Sequence, residues 1–350
     1  MLKRTRFLAL IIIATLILLA TLLAWFLPLF GRPLPRHSTR TQPASPEPQM
    51  TQQTPTADSG TTPTPGQDPA SNLSAVPTAT LAPPGKPACR GPESLTLLVL
   101  GIDQNAQADA IRLVRLDFRQ EAIAVLAIPR DFYVPIVDMT QHGITQGRIN
   151  AAYGYGEWFN GRGGGVISVA DNIAHNFGVH VDHYLVLSFA NIADYIDRVG
   201  GVQIELEQTV ADGRHIFHSG LHHLDGETAV TFMRMRYYDS DFARIRRQSM
   251  VISAFYNQAM QELNLFEQTQ LAMKGLLDRN IRSDLALKDL SPLICLARAV
   301  DKRNVAFVEI PSELYTPHTT SGGASVQIPS DGVAPFIQSV MDGGYLQPGE

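Results

Sequence analysis

From Leu95 onward the chain alternates short apolar runs with longer segments of helical spacing. "LTLLVLGI" (Leu95–Ile102) is continuously apolar, the pattern of a strand buried on both faces. "AIRLVRLD" and "AIAVLAIP" read as two more strands, joined by a short turn around Arg119–Gln120. Helical spacing over Ser168–Phe177 stops at Gly178, and "HYLVLSF" is again a strand. A helix over Asn191–Val199, the Gly200–Gly201 break and the strand "VQIEL" follow. A long helical pattern runs from Ile245 to Leu265, and the strand "VAFVEI" precedes a helix near Val333–Met341. Strands and helices interleave, and several strands are wholly apolar. This predicts a central sheet covered by helices on both sides, in one domain over 93–350 without an internal repeat.

The N-terminal part has a different pattern. Residues 1–6, "MLKRTR", are basic, and 7–30 carry no charge. That stretch is long enough to cross about 30 Å of hydrocarbon as a helix and longer than the apolar core of a signal peptide. Arg32, Arg36 and Arg40 flank it as closely as Lys3, Arg4 and Arg6 do, so charge alone leaves its direction open. The very short basic N-terminus and the large following domain place residues 1–6 in the cytoplasm. The expectation is a single-pass protein of the cytoplasmic membrane with its domain outside. Residues 31–92 hold most of the 23 prolines, and Gly31–Arg90 has no Phe, Trp or Tyr. Such a segment cannot bury enough apolar surface to offset its ordering entropy and reads as a disordered linker. The two cysteines, Cys89 and Cys295, either form a disulfide or stay as two buried thiols.

Net charge of −5 and a pI near 6.1 argue against nucleic acid as a partner, which demands a broad basic face. Positive charge is instead local. "MRMRYYDSDFARIRRQ" (Met233–Gln248) packs five arginines into sixteen residues. Read as a strand, "FMRMRY" turns Arg234 and Arg236 to one face and the methionines to the other. Asp239 or Ser240 then caps a helix on which Asp241, Arg244 and Gln248 share a face, with Arg247 beside them. Helix starts favour anions, and guanidinium forks match phosphate oxygens. Arg130 follows Pro129 at a strand end, where open α/β sheets bind ligands. Asp103 ends the first strand and Asp109 opens the next, a spacing at which two carboxylates can share a hard cation such as magnesium. Each of these features alone also fits a bland reading: turn acids, a surface ion pair, a solvated charge run.

Taken in order, "LLVLGID", "ADAIRLVRLD", "LAIPRDFYV", "RINAAYGYG", "VDHYLVLSF", "RVGGV", "GLHHLDGETAVTFMRMRY" and "DSDFARIRRQ" resemble the LytR-CpsA-Psr family over about Leu95–Tyr345. The resemblance implies a three-layer α-β-α fold with a central mixed sheet, behind one transmembrane helix and the linker. It also implies a phosphotransferase that moves a glycopolymer, with its proximal phosphate, from a polyprenyl diphosphate to a peptidoglycan hydroxyl. Carried over by position, Asp103 and Asp109 hold magnesium, or manganese in its place. Arg130, Arg234, Arg236, Arg244 and Arg247 hold the diphosphate, and Asp241, Arg244 and Gln248 act at the reacting centre. The family's lipid tunnel would have "INAAYGYGEWF" and the helix from Ile245 among its walls. The same residues suit two other readings: a non-catalytic protein that binds or senses this lipid, and a hydrolase acting on it.

One departure stands out. Gln107-Ala108-Asp109-Ala110 occupies the place of the family's Arg-Ser-Asp-Thr, so one phosphate contact is missing unless Arg112 or Arg115 supplies it. His222 and His223 read as loop or packing residues, and no serine or cysteine sits in a nucleophile motif.

Overall fold

The wholly apolar runs form the sheet they predict. β1 (Ser94–Ile102), β2 (Ala108–Asp117), β3 (Ala122–Ile128), β4 (His183–Ser188), β5 (Arg282–Ser283) and β6 (Val305–Glu309) make one six-stranded mixed sheet in the order β5-β4-β1-β2-β3-β6. The β1–β2, β2–β3 and β4–β5 pairs are antiparallel; β1–β4 and β3–β6 are parallel. The computed structural model describes residues 89–103, 105–235 and 241–346, all within one compact unit.

Around the sheet lie α1 (Ala151–Phe159), α2 (Gly164–Phe177), α3 (Phe189–Arg198), α4 (Gly226–Arg234), α5 (Asp241–Glu262), α6 (Leu265–Leu277), α7 (Leu287–Ala299) and α8 (Val333–Met341). Register assigns each strand residue to a face. Tyr184, Leu98, Leu113 and Leu126 are successive cross-strand partners and are buried with Val169 and Ile173 of α2 and Ile337 of α8. The opposite face carries the row Leu185, Val99, Arg112, Ala127. Near β2 and β3 that face packs Leu116 and Val125 against Leu296 of α7, with Tyr256 of α5 alongside. Leu97, Val99, Leu185 and Leu187 on the same face are only half-buried although they lie mid-sheet.

A third core joins α3, α4 and α5 to the paired strands Val202–Leu206 and Gly220–Leu224. Here α3 and α4 approach backbone to backbone, because Gly226 leaves its place to the Ala193 main chain. α4 starts at Asp225, whose carboxylate accepts from the Thr228 N–H, an N-cap. This replaces the extended reading of "FMRMRY": Ala229, Phe232 and Met233 are buried at i, i+3 and i+4, and burial of that stripe outweighs the short Met/Arg alternation. Arg234 is therefore the last residue of a helix, with Met235 extended after it. His222 and His223 belong to a strand, not a loop.

Cys89 and Cys295 form a disulfide, resolving the alternative the sequence left open. The apolar span over 7–30 and the proline-rich segment up to 88 lie outside the described residues. Among the described residues no helix is long and apolar enough to cross a membrane; α5 has the length but carries Arg244, Arg246, Arg247 and Glu262. The single-pass location expected from the sequence is withdrawn on that finding.

Two stability predictions follow from this packing. Replacing Cys89 and Cys295 together by serine opens a closure of 206 residues and is expected to lower unfolding stability by about 2–4 kcal/mol, read from denaturant midpoints with and without reductant. Gly226→Ala brings a methyl against the Ala193 backbone, which cannot give way as a flexible side chain would. Overpacking of about 1–3 kcal/mol exceeds the helix-propensity gain of up to about 1 kcal/mol, so thermal unfolding should show a net loss.

Candidate active site

The sheet brings four chain segments to one end. β1 runs into Asp103, β2 starts beside Asp109, β3 runs through Pro129 into Arg130, and β4 ends at Ser188 before Phe189. A register shift between Gly101 and Ile102 ends the regular β1–β2 pairing, the usual effect of a bulge near a site. Asp103 is then held by its own loop: Oδ1 accepts from the Asn105 and Gln107 N–H groups at 2.9 Å each. The Asp109 carboxylate is paired with the Arg130 guanidinium. Arg130 also lies 3.5 Å from Asp131, which in turn meets Arg148 at 3.3 Å.

α3, α4 and α5 complete the wall. Ser188 and Asn191 form a capping box at the start of α3, which fixes Phe189 just inside the helix. The Arg234 guanidinium lies 4.9 Å from the centre of the Phe189 ring, a cation–π contact. Its place at the C-terminal end of α4 adds a favourable helix-dipole interaction. Arg247 donates to the Met235 carbonyl at 2.7 Å and so satisfies a backbone acceptor just past the helix. On α5, Gln248 Oε1 accepts from Arg112 Nη2 at 2.8 Å. Since a guanidinium only donates, this contact orients the amide and leaves Nε2 as the other end. Gln248 is 1 % exposed, and its Nε2 has no acceptor among the described residues.

These residues surround a cavity of ≈ 940 Å³ lined by Asp103, Asp109, Arg234, Arg244 and Gln248, with Phe189 and Met235 between them. Five of the site residues read from the sequence thus meet in one place. Arg130 stands just behind, paired with Asp109, and Arg247 serves the end of α4. Arg236 lies outside the described residues, and Asp241 opens α5 without a described side chain. Among the described residues no group of three or more His, Cys, Asp or Glu is placed to hold a metal ion together. Two carboxylates on one cavity nevertheless fit magnesium, which takes one or two of them and completes its shell with water and phosphate oxygens.

The structure also separates the two arginines that could stand in for the absent Gln107-position guanidinium. Arg112 faces α5 and reaches Gln248. Arg115 is on the other face, paired with Asp117 at 3.1 Å and donating to the Met341 carbonyl of α8. Strand parity decides between them. The sequence reading missed one element altogether. The tip of a hairpin between Val210–Ala211 and Ile216–Phe217 brings Asp212, Gly213, Arg214 and His215 to the cavity. Its local signal is an Asp-Gly turn between apolar residues, which reports a hairpin but not what the hairpin covers.

Known proteins are similar to this chain in sequence and in fold. A teichoic acid transferase, TagU of Oceanobacillus iheyensis, is 30 % identical over 224 residues, 62 % of this chain and 67 % of TagU. Bacillus subtilis TagT is 27 % identical over 60 % of this chain and 67 % of its own length. A Bacillus cereus TagU is 32 % identical over 46 % of this chain, which spans about half of that relative. Both TagU proteins and TagT are named polyisoprenyl-teichoic acid–peptidoglycan teichoic acid transferases. Among solved structures, B. subtilis TagV superposes with a TM-score of 0.60 at 21 % identity, covering 73 % of this chain and 99 % of TagV. TagT bound to LIIa-WTA gives 0.58 at 23 % identity, covering 73 % of this chain and 91 % of that one. These two likenesses establish the α/β fold with its mixed sheet. The LytR_cpsA_psr family pattern matches residues 57–338, well over half of the sequence, and the chain belongs to that family.

Proposed function

We propose that this protein transfers a glycopolymer, with its proximal phosphate, from a polyprenyl diphosphate to a hydroxyl of peptidoglycan, with magnesium or manganese as cofactor. The observation that carries the reading is the composition of one cavity: Asp103 and Asp109 on one side, Arg234, Arg244 and Gln248 on the other. A diphosphate needs charge neutralised on both phosphates and on the leaving oxygen, and its transfer is mostly positioning and electrostatics. The names of the TagU and TagT relatives supply the substrate class.

Each group has a role in that chemistry. Asp103 and Asp109 would hold magnesium, which when bound would neutralise charge on the diphosphate. Arg234 and Arg244 bind the remaining anionic oxygens, and Gln248 Nε2 donates to one of them. Arg112 is a positioning residue: it holds Gln248 and adds positive charge where the family's usual arginine is replaced by Gln107. Arg130 keeps the Asp109 carboxylate in place. Arg236 and Asp241 keep the roles that the resemblance gives them. The polyprenyl chain follows the half-buried sheet face of Leu97, Val99, Leu185 and Leu187 beneath α5, since that face leaves apolar surface unsealed and burying it is favourable at about 25 cal/mol per Å².

The test is release of polyprenyl phosphate from a synthetic polyprenyl diphosphate oligosaccharide, with a peptidoglycan oligomer as acceptor. Release should require a divalent cation and yield a phosphodiester-linked product. Arg234→Ala should lower the rate about 10²–10³-fold, the usual effect of removing one donor to developing charge. Asp109→Asn should lose most of the metal response. Binding of the donor without release under any metal means a lipid-binding protein, and release without a linked product means a hydrolase.

A further inference from the structure

Beside Arg214, a cation that suits phosphate, the cavity wall contributed by the hairpin tip carries chemistry of another kind. Among the cavity-lining residues of this loop are a carboxylate, Asp212, and an imidazole, His215. They are joined to each other. Asp212 Oδ1 accepts from the Arg214 N–H at 2.9 Å and the His215 N–H at 2.7 Å, and its Oδ2 lies 3.3 Å from His215 Nδ1. Gly213, at φ 79°, allows the reversal that brings them together. The loop's own backbone bond, from the Asp212 N–H to the His215 carbonyl at 3.1 Å, closes the turn.

Two consequences follow from that contact. A carboxylate against Nδ1 selects the tautomer with the proton there and leaves Nε2 as a lone-pair acceptor. The orientation of the ring is fixed as well, as in other acid–imidazole pairs. The carboxylate itself stays ionised, since the backbone N–H of His215 leads the contacts that hold its pKa below the ordinary value. The imidazole keeps 48 % of its side-chain surface exposed while Asp212 keeps 13 %. An outward base on an inward acid suits a proton acceptor for a substrate arriving from solvent. A diphosphate-binding wall gains nothing from an extra anion such as Asp212, so charge alone does not account for its presence.

We propose that His215 is the general base for the acceptor hydroxyl, with Asp212 as its positioning residue. The proposal rests on the transfer reading above. His215 Nε2 takes the hydroxyl proton while the acceptor oxygen forms its bond to the phosphorus that carries the glycopolymer. The bond from that phosphorus to the bridging oxygen breaks, and polyprenyl phosphate leaves with the electron pair. The imidazolium then passes its proton to water. Among the described residues, the charged groups facing this cavity with His215 are Asp212 and Arg214 of its own loop, Asp103 and Asp109 at the strand ends, Arg234 of α4 and Arg244 of α5.

The experiment compares the parent protein with His215→Gln, His215→Ala and Asp212→Asn on the same donor and acceptor. It reads polyprenyl phosphate release from pH 5 to 9, donor affinity and the unfolding midpoint. Loss of a general base costs about 10²–10⁴-fold in rate. His215→Gln is expected to lose that much in kcat at unchanged donor affinity and unchanged unfolding midpoint. Its pH–rate profile should lose a limb that the parent protein shows. Asp212→Asn is expected to show a smaller loss and an altered limb, and added imidazole should restore part of the rate to His215→Ala. A His215→Gln protein with the parent's rate and pH profile overturns the proposal, as does a rate loss that merely tracks weaker donor binding. A parent protein that releases no polyprenyl phosphate overturns the transfer reading itself, and the base with it.

Discussion

An arginine stays charged wherever it is placed, and Arg112, Arg244 and Arg247 are at most 4 % exposed near one end of the sheet. Breaking the compensation of such a charge costs several kcal/mol. The surroundings are arranged around that constraint. Arg112 on β2 is tied to Gln248 on α5, and Arg247 on α5 is tied to the end of α4. One helix thereby locks onto the sheet on one side and onto a neighbouring helix on the other. Sliding α5 by one residue would pull both contacts apart, along with the buried Ile245 and Val251.

The same face of the sheet divides its labour. Towards β3 it is packed by α7, with Leu116, Val125 and Leu296 buried. Towards β4 and β5 its apolar residues are only half covered. The opposite face is closed by α2 and α8 along its length. An incompletely covered face beside a cationic cavity offers apolar and anionic binding in continuity, which matches an amphipathic substrate better than a small soluble one.

Legibility in the sequence followed the range of the interactions. The largely apolar strands β1 and β3 could be read directly, because burial on both faces leaves a local signature. The segment before Arg236 was misread since two methionines alternating with two arginines imitate a strand, while the Asp225 cap and the Ala229, Phe232, Met233 stripe declare a helix. Asp103, Asp109, Arg234, Arg244 and Gln248 were recognisable by residue type and order, and the fold gathers them. Choosing Arg112 over Arg115 needed strand register, which no single strand reveals. The Asp212–His215 tip was out of reach, because its meeting with the cavity is a tertiary event between segments more than 100 residues from Asp103.

The disulfide has a mechanical meaning as well. Cys89 lies only a few residues before β1, the central strand that carries Asp103 at its far end, and it is fastened to α7. The bond pins the entrance of β1 to a helix packed on the sheet through Leu296. Fraying at the start of β1 is thereby coupled to displacement of α7, so the strand that presents Asp103 does not loosen from its near end on its own.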